Sequence, residues 1–269
     1  MNSKFLKITA SLFLLIGFLI IFISSILHIY ESRTKIKGFF AWKVEKYNPQ
    51  SLISTGYKTK KELANDIISN GGYILLFRHA EREKWTDVKK YDAMEVLNNL
   101  KGENEYFSKA VCLNDRGLIQ ARAMGEIIDK INLPYHVVAS SPSCRARQTA
   151  ELAFGGYDYI KNIFMHYGPF DEHFGSDEED YNEDVKNEIL KIEVKENSNA
   201  IISAHNAVIR SVDIFDKIET NTPTTNIRSG FIEEGGFIVL RNDNGKLVFV
   251  ELFYSFQDFY MQLFRRPKN

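Results

Sequence analysis

The pattern of apolar and polar residues separates a long apolar segment near the N-terminus from a region of short apolar runs. Residues 8–27 are apolar or small throughout and carry no charge. A helix of that length crosses a bilayer core of roughly 30 Å. We therefore expect residues 1–30 to form a single-pass membrane anchor, residues 31–57 a juxtamembrane spacer, and residues 58–269 one globular domain.

The charges that flank the anchor leave its orientation open. Basic residues lie on both sides of the apolar segment: Lys4 and Lys7 before it, and Arg33, Lys35, Lys37 and Lys43 after it. Because basic residues favour the cytoplasmic side, their count favours a cytoplasmic domain. A basic N-terminus before a long apolar segment is also typical of an export signal that stays uncut, which places the domain outside the cytoplasm.

Beyond the spacer, short apolar runs alternate with amphipathic segments. Strands are predicted at residues 73–77, 135–139, 163–166 and 200–204, with a terminal hairpin of strands at 237–241 and 247–253. Helices are predicted around residues 63–68, 119–128, 145–153 and 207–216, within the acidic segment 170–196, and in part around residues 93–100 of a polar surface insertion. This alternation indicates a three-layer α/β/α domain, with a mainly parallel sheet that helices cover on both faces.

Composition narrows the classes of function. The chain has 34 Lys plus Arg against 35 Asp plus Glu, a balance that argues against a nucleic-acid partner. Two cysteines, Cys112 and Cys144, are too few for a disulfide framework or a zinc site. We expect two free thiols, with a single bridge as the alternative. No motif for a metal or an organic cofactor is visible, so we expect none.

Polar side chains follow three of the predicted strands, at the point where each strand ends. Arg78 and His79 follow the first, Ser141 and Arg145 follow the second, and His205 follows the strand at 200–204. The carboxyl ends of parallel strands meet at one edge of the sheet, where α/β proteins bind ligands. Arginine forks bind oxyanions, and histidine acts as a nucleophile or proton carrier. The set therefore predicts a phosphate pocket in which one histidine attacks phosphorus.

Four segments carry a family resemblance in the same order. They are Phe77-Arg78-His79-Ala80-Glu81, residues 113–121 (LNDRGLIQA), residues 140–151 (SSPSCRARQTAE) and residues 201–205 (IISAH). Together they resemble the histidine phosphatase superfamily, with the phosphoglycerate-mutase-like fold, over roughly residues 72–254. The resemblance implies that residues 58–269 are a histidine phosphatase catalytic domain.

The resemblance also implies roles for individual residues. His79 would be the nucleophile that forms a phosphohistidine, and Arg78, Arg145 and His205 would hold the phosphate. The proton donor to the leaving oxygen would be an acid between the second and third motifs. Glu172 is our choice, with Asp171 next and a solvated surface acid as the alternative.

Three further residues are expected to contact the substrate. Ser141 lies in the second arginine motif. Asn206 stands where glycine is common in the family, so it changes the pocket wall or hydrogen-bonds the substrate. Arg82 is a further cation for the phosphate, with a surface ion pair to Glu83 as the alternative. Ala80, where many members have glycine, is tolerable if that position does not need a positive φ.

The leading hypothesis is a membrane-anchored phosphomonoesterase acting on a phosphorylated small molecule or glycan. The alternatives are a phosphomutase of the same fold, a non-catalytic phospho-ligand-binding module, and a phosphatase of phosphohistidine or phosphotyrosine in signalling proteins. The anchor and the motif at 78–82 also resemble the lipopolysaccharide core heptose-phosphate phosphatase subgroup, which implies a periplasmic domain. Residues 82–110 and the acidic loop after Glu172 are expected to cover the pocket. The oligomeric state is left open.

Overall fold

The computed structural model describes residues 59–84, 88–97, 99–102, 110–165, 178–211 and 232–264. The predicted anchor, the spacer, Asp171 and Glu172 lie outside these ranges. Within the described ranges, no helix is both long and apolar enough to cross a membrane. All of the elements below belong to one compact unit, Pro49–Asn269.

Helices and strands alternate along the described part of the chain, as the hydrophobic pattern predicts. The helices are α1 (Lys60–Ser69), α2 (Val88–Leu97), α3 (Asp115–Ile131), α4 (Cys144–Phe154), α5 (Glu178–Leu190), α6 (Asn206–Ser211) and α7 (Phe256–Phe264). The strands are β1 (Ile74–Arg78), β2 (Tyr135–Ser140), β3 (Tyr159–Ile160), β4 (Asn199–Ala204), β5 (Phe237–Asp243) and β6 (Lys246–Phe253).

The strands form a six-stranded sheet in the order β3-β2-β4-β1-β5-β6. The first four strands in that order are parallel, and β5 and β6 form an antiparallel hairpin beside β1. The prediction of a mainly parallel sheet with a terminal hairpin is therefore confirmed. Every residue of β4 is buried, because it lies in the middle of the sheet.

The two faces of the sheet are apolar, so both must be covered. One face packs on helices α1, α3, α4 and α7 in a single cluster of buried residues. Helix α6 contacts β1, and α5 packs on α6. Within the cluster, Phe77, Phe237 and Phe253 stack across three neighbouring strands, with ring centroids 4.5 and 5.1 Å apart. This aromatic ladder fixes the end of β1 immediately before Arg78.

Helix α3 is placed by its first turn. The Asn114 side chain caps the helix by accepting the backbone N–H of Gly117 at 2.8 Å. A Cβ atom at Gly117 would lie 1.8 Å from the carbonyl oxygen of Glu81, so only glycine fits there. The motif at 113–121 thus brings α3 directly against the segment that follows His79.

The structure differs from the prediction at two elements. The strand predicted at 163–166 is wrong, because β3 is the two-residue strand Tyr159–Ile160 and Asn162–Phe164 is a 3₁₀ helix. Helix α7 was not predicted. Its apolar face is clear only beside the sheet, where Phe256 and Phe259 join the aromatic cluster. Short apolar runs do not distinguish strand from helix by themselves.

The expectation of two free thiols is also wrong. Cys112 and Cys144 form a disulfide with their Cα atoms 4.8 Å apart. The two residues are 32 positions apart in the chain, and nothing in the local pattern links them. The bond becomes evident only when the segment before α3 lies beside the first turn of α4.

Candidate active site

Three strand ends meet at one edge of the sheet, as the sequence predicts. Phe77 on β1 pairs with Ser203 on β4, and Ser140 on β2 pairs with the same residue. Beyond the strands, the His79 N–H donates to Ala204 at 3.0 Å, and the Ser141 N–H donates to Ser203 at 2.9 Å. The sheet therefore brings Arg78, His79, Ser141, Arg145 and His205 into one site.

His79 has the state that a nucleophile requires. Its ring is buried, and Nδ1 lies 2.7 Å from the carbonyl oxygen of Ala80. A carbonyl can only accept, so Nδ1 carries the proton and Nε2 has a free lone pair. Burial, and then the charge of Arg145, holds the pKa of His79 well below its usual range. The imidazole is therefore neutral at physiological pH.

Arg78 is held at the same edge by the segment before β5. Its Nη1 donates to the carbonyl oxygen of Ile232 at 2.6 Å, and its Nη2 donates to Glu234 at 3.1 Å. Burial lowers the pKa of Arg78, and Glu234 opposes that change. The arginine stays cationic, since even a depressed guanidinium pKa lies far above neutral pH.

Arg145 is fully buried at the start of α4. Its Nη1 and Nη2 donate to the two carboxylate oxygens of Asp92 on α2, at 2.6 and 2.8 Å. Nη2 also lies 3.2 Å from Nδ1 of His205, and Nε has no hydrogen-bond partner among the described residues. Helix α2, within the segment predicted to cover the pocket, thus contacts Arg145 directly.

His205 is oriented by groups on both of its ring nitrogens. Because Arg145 can only donate, Nδ1 of His205 accepts and Nε2 carries the proton. Nε2 lies 2.9 Å from the hydroxyl oxygen of Ser141 and 3.1 Å from that of Ser143. The His79 and His205 rings meet edge to face, with centroids 5.2 Å apart. The two motif histidines are therefore neighbours in one buried site.

Arg82 and Asn206 are the other two residues predicted to contact the substrate. Arg82 is half-buried, and its Nη1 donates to the backbone carbonyl of Glu83 at 2.5 Å. Burial lowers the pKa of Arg82, and the positive charge of Arg145 lowers it further. The two guanidinium groups therefore interact electrostatically. Asn206 opens α6, and its Oδ1 is buried with no partner among the described residues.

The turn after His79 is supported by α4. The Ala80 N–H donates to Oγ1 of Thr149 at 3.0 Å, and that hydroxyl donates to the carbonyl oxygen of Arg145 at 2.7 Å. Ala80 does not adopt a positive φ, so alanine is accommodated where other members have glycine. Thr149 therefore ties the turn after His79 to the backbone of Arg145.

Sequence reasoning missed three polar residues of this site. Asp92 lies in an insertion with little periodicity, Glu234 lies in a short loop, and Ser143 was noted only as part of a motif. Each contacts a motif residue: Arg145, Arg78 and His205 respectively. In the sequence, these three residues are marked as candidates for the site only by being polar beside apolar residues. Many surface residues have the same property.

This arrangement can bind and transfer a phosphoryl group. A neutral, buried Nε2 stands among the charges of Arg145, Arg78 and Arg82, each of which acts on the His79 ring. Fixed cations stabilise the charge on the equatorial phosphoryl oxygens as it builds in the transition state. Among the described residues, no cluster of three or more His, Cys, Asp or Glu side chains could hold a metal ion.

Comparison with known families identifies the superfamily of this chain. A sequence model described as the histidine phosphatase superfamily (branch 1) matches residues 74–227. The chain belongs to this superfamily, and the resemblance seen in the motifs is confirmed. A search of curated proteins found no match.

Comparison with solved structures finds similarity to proteins from several organisms. The phosphoserine phosphatase of Entamoeba histolytica is 16% identical, with a TM-score of 0.44, and the match covers 69% of this chain and 98% of that one. The phosphoglycerate mutase of Thermus thermophilus is 20% identical, with a TM-score of 0.39, and the match covers 67% and 99%. The product of open reading frame Rv3214 of Mycobacterium tuberculosis is 17% identical, with a TM-score of 0.42, and the match covers 67% and 96%.

Proposed function

We propose that the chain is a membrane-anchored phosphomonoesterase that hydrolyses a phosphate ester through a phosphohistidine on His79. One observation carries this proposal. His79 is a buried, neutral imidazole whose Nδ1 proton is held by Ala80, so that Nε2 is free to attack. The arginines of both motifs lie beside it, where the oxygens of a phosphoryl group would be bound.

In the first step, the Nε2 lone pair of His79 forms a bond to phosphorus as the bond from phosphorus to the ester oxygen breaks. Arg78, Arg145 and His205 would bind the equatorial oxygens, with the Nε2 proton of His205 passing from the hydroxyl oxygens of Ser141 and Ser143 to a phosphoryl oxygen as its acceptor. The departing oxygen takes a proton from an acid, for which Glu172 remains our prediction. The products are the alcohol and a phosphohistidine.

In the second step, water attacks the phosphohistidine. A bond forms from the water oxygen to phosphorus, the bond from Nε2 to phosphorus breaks, and the water proton passes to the base left by the first step. Inorganic phosphate leaves and His79 returns to its neutral form. The Nδ1 bond to Ala80 holds the ring in the same orientation through both steps.

The test is phosphate release from p-nitrophenyl phosphate by the full-length chain in detergent. We expect turnover without any bisphosphate cofactor, and a loss of about 10³-fold or more in His79→Ala, since removing a nucleophile removes the covalent route. His136→Ala is the matched control, because His136 lies at the start of β2, away from the carboxyl edge. Full activity in His79→Ala would overturn the proposal.

The same assay separates the alternatives. A phosphomutase would need a bisphosphate to prime it and would return phosphate to its substrate rather than to water. A binding module would show no release with any ester, while still binding a phosphorylated ligand.

Membrane attachment and an exported catalytic domain are part of the proposal. The apolar segment at residues 8–27 supports attachment, and the Cys112–Cys144 disulfide supports an oxidising compartment. We expect the full-length chain to stay with membranes after alkaline extraction. We also expect its cysteines to resist a thiol reagent in intact cells unless a reductant is added first. Thiols that react at once would contradict export.

The substrate class that we propose is a phosphorylated small molecule or glycan. Resemblance to the heptose-phosphate phosphatase subgroup makes sugar phosphates of a lipopolysaccharide core the first substrates to test. A screen of phosphorylated metabolites, glycans and phosphopeptides with the full-length chain ranks these classes by kcat/KM.

A further inference from the structure

Helix α2 places two carboxylates on two arginines of the second motif. Asp92 contacts Arg145, and Glu95 contacts Arg147. The carboxylates are three residues apart on α2, so they lie on one face of the helix. All four side chains are buried. A helix from the insertion is thus joined to the arginine motif by two parallel, buried ion pairs.

The geometry of the first pair leaves Nε of Arg145 without a partner among the described residues. Asp92 takes Nη1 and Nη2, which form the end of the guanidinium. A second edge, formed by Nε and Nη2, faces His205, because Nη2 lies 3.2 Å from its Nδ1. Nε on that edge is buried and has no hydrogen-bond partner among the described residues. An oxyanion bound along this edge would take the Nε proton and replace His205 as the acceptor of the second Nη2 proton, while Asp92 stays on the end of the guanidinium.

We propose that Asp92 is a positioning residue for phosphoryl transfer, which holds Arg145 by its end so that the Nε–Nη2 edge is aimed at the phosphate. This inference rests on the proposed function. Asp92 itself does not contact the reacting atoms. Its effect is to remove the rotational freedom of the guanidinium before the substrate arrives, so that none has to be lost in the transition state.

The neighbouring pair provides a matched control. Arg147 donates through Nε to the carbonyl oxygen of Pro142 at 3.1 Å, and Glu95 accepts the N–H of Gly102 at 3.0 Å. This pair therefore ties loops to α2 and α4. A substitution at Glu95 damages a buried ion pair on the same helix that involves Arg147 instead of Arg145.

The experiment compares Asp92→Asn with Glu95→Gln in the full-length chain. We expect kcat for p-nitrophenyl phosphate to fall by about tenfold or more in Asp92→Asn, because a small displacement of a binding group costs up to about 100-fold. KM should change less than kcat. Glu95→Gln should keep kcat within about twofold while losing similar thermal stability. Equal kcat in the two variants, or a lower KM with unchanged kcat in Asp92→Asn, would overturn the proposal.

Orthovanadate and inorganic phosphate provide a readout that a purely structural role would not change. Bound vanadate resembles the transition state and phosphate resembles the product, so Asp92→Asn should weaken vanadate inhibition more than phosphate inhibition. Asp92→Glu keeps the charge but moves the carboxylate by one methylene. If Asp92 positions Arg145, kcat should fall in Asp92→Glu too. If Asp92 only balances the charge of Arg145, kcat should not change.

A structure of the wild-type chain with orthovanadate decides the geometry even if the variants do not fold. We expect Asp92 to remain on Nη1 and Nη2 while Nε and Nη2 contact vanadate. Displacement of Asp92 by vanadate would show that the carboxylate competes with the substrate instead. If wild-type protein binds vanadate in this way but hydrolyses no ester, the proposed function fails and the positioning of Arg145 stands.

Discussion

His79 donates its Nδ1 proton to the carbonyl oxygen of Ala80, the residue that follows it, across 2.7 Å. The contact is local, between two adjacent residues just beyond β1, and it leaves the lone pair of Nε2 free. Burial and the charge of Arg145 keep the ring neutral. Orientation and protonation state, the two requirements of a histidine nucleophile, thus have separate structural causes.

This arrangement predicts the pH dependence of His79. Because its pKa in the folded chain is well below 6.5, the ring should stay neutral when the pH falls through 6.5. Unfolded chains bind that proton near pH 6.5, so this group's contribution to stability is constant above pH 6.5 and declines below it. Histidine ring NMR from pH 8 to 5 measures the titration, with His79→Gln identifying the signal. A midpoint at or above 6.5 would contradict the buried, neutral state.

Loss of the disulfide should destabilise the domain. The bond closes a loop of 32 residues between Cys112 and Cys144, and chain entropy alone makes such a bond worth about 3.5 kcal/mol. We expect the Cys112→Ser, Cys144→Ser double variant to lose about that free energy of unfolding, measured with urea. A reductant should lower the stability of the wild type to the same level and leave the double variant unchanged. Equal stability without the bond would rule out this role.

Gly117→Ala tests the close approach of α3 to the segment after His79. Alanine in a helix is usually more stable than glycine by about 1 kcal/mol. Here the added Cβ would lie 1.8 Å from a backbone oxygen of Glu81, which cannot move independently of the site. The clash of the added Cβ should outweigh the higher helix propensity of alanine. We therefore expect a net loss of about 2 kcal/mol in the free energy of unfolding. A gain in stability would show that α3 can shift away.

Glu172→Gln tests the predicted proton donor. An acid that protonates the leaving oxygen matters most when that oxygen is a poor leaving group. We expect kcat/KM to fall by about 100-fold for an alkyl phosphate and much less for p-nitrophenyl phosphate. Asp171→Asn is the comparison, since Asp171 is the second candidate for the donor, and we expect it to slow the alkyl phosphate less than Glu172→Gln does. Equal slowing of both esters by Glu172→Gln would assign the role to another acid.

Much of the site could be predicted because its residues follow strands that the apolar runs make evident. Arg78 and His79 come directly after β1, and His205 directly after β4. Parallel strands expose their carboxyl ends at one edge, so consecutive strand ends predict a shared site. The second arginine motif starts α4 just beyond β2, which places Arg145 at the same edge. In each case, the strand is evident from a local apolar run. The rule that parallel strands share a carboxyl edge then predicts that the residues after them lie in one site.

The sequence by itself determined the motif residues, the α/β class, the parallel sheet and its terminal hairpin. Only the tertiary structure decided that Asp92 holds Arg145, that Glu234 holds Arg78, and that Cys112 pairs with Cys144. Those partners are 53, 156 and 32 residues apart. Hydrophobic periodicity reports which face of an element is buried. It does not report which distant polar side chain meets a buried charge, because that depends on how loops and insertions pack against the finished sheet.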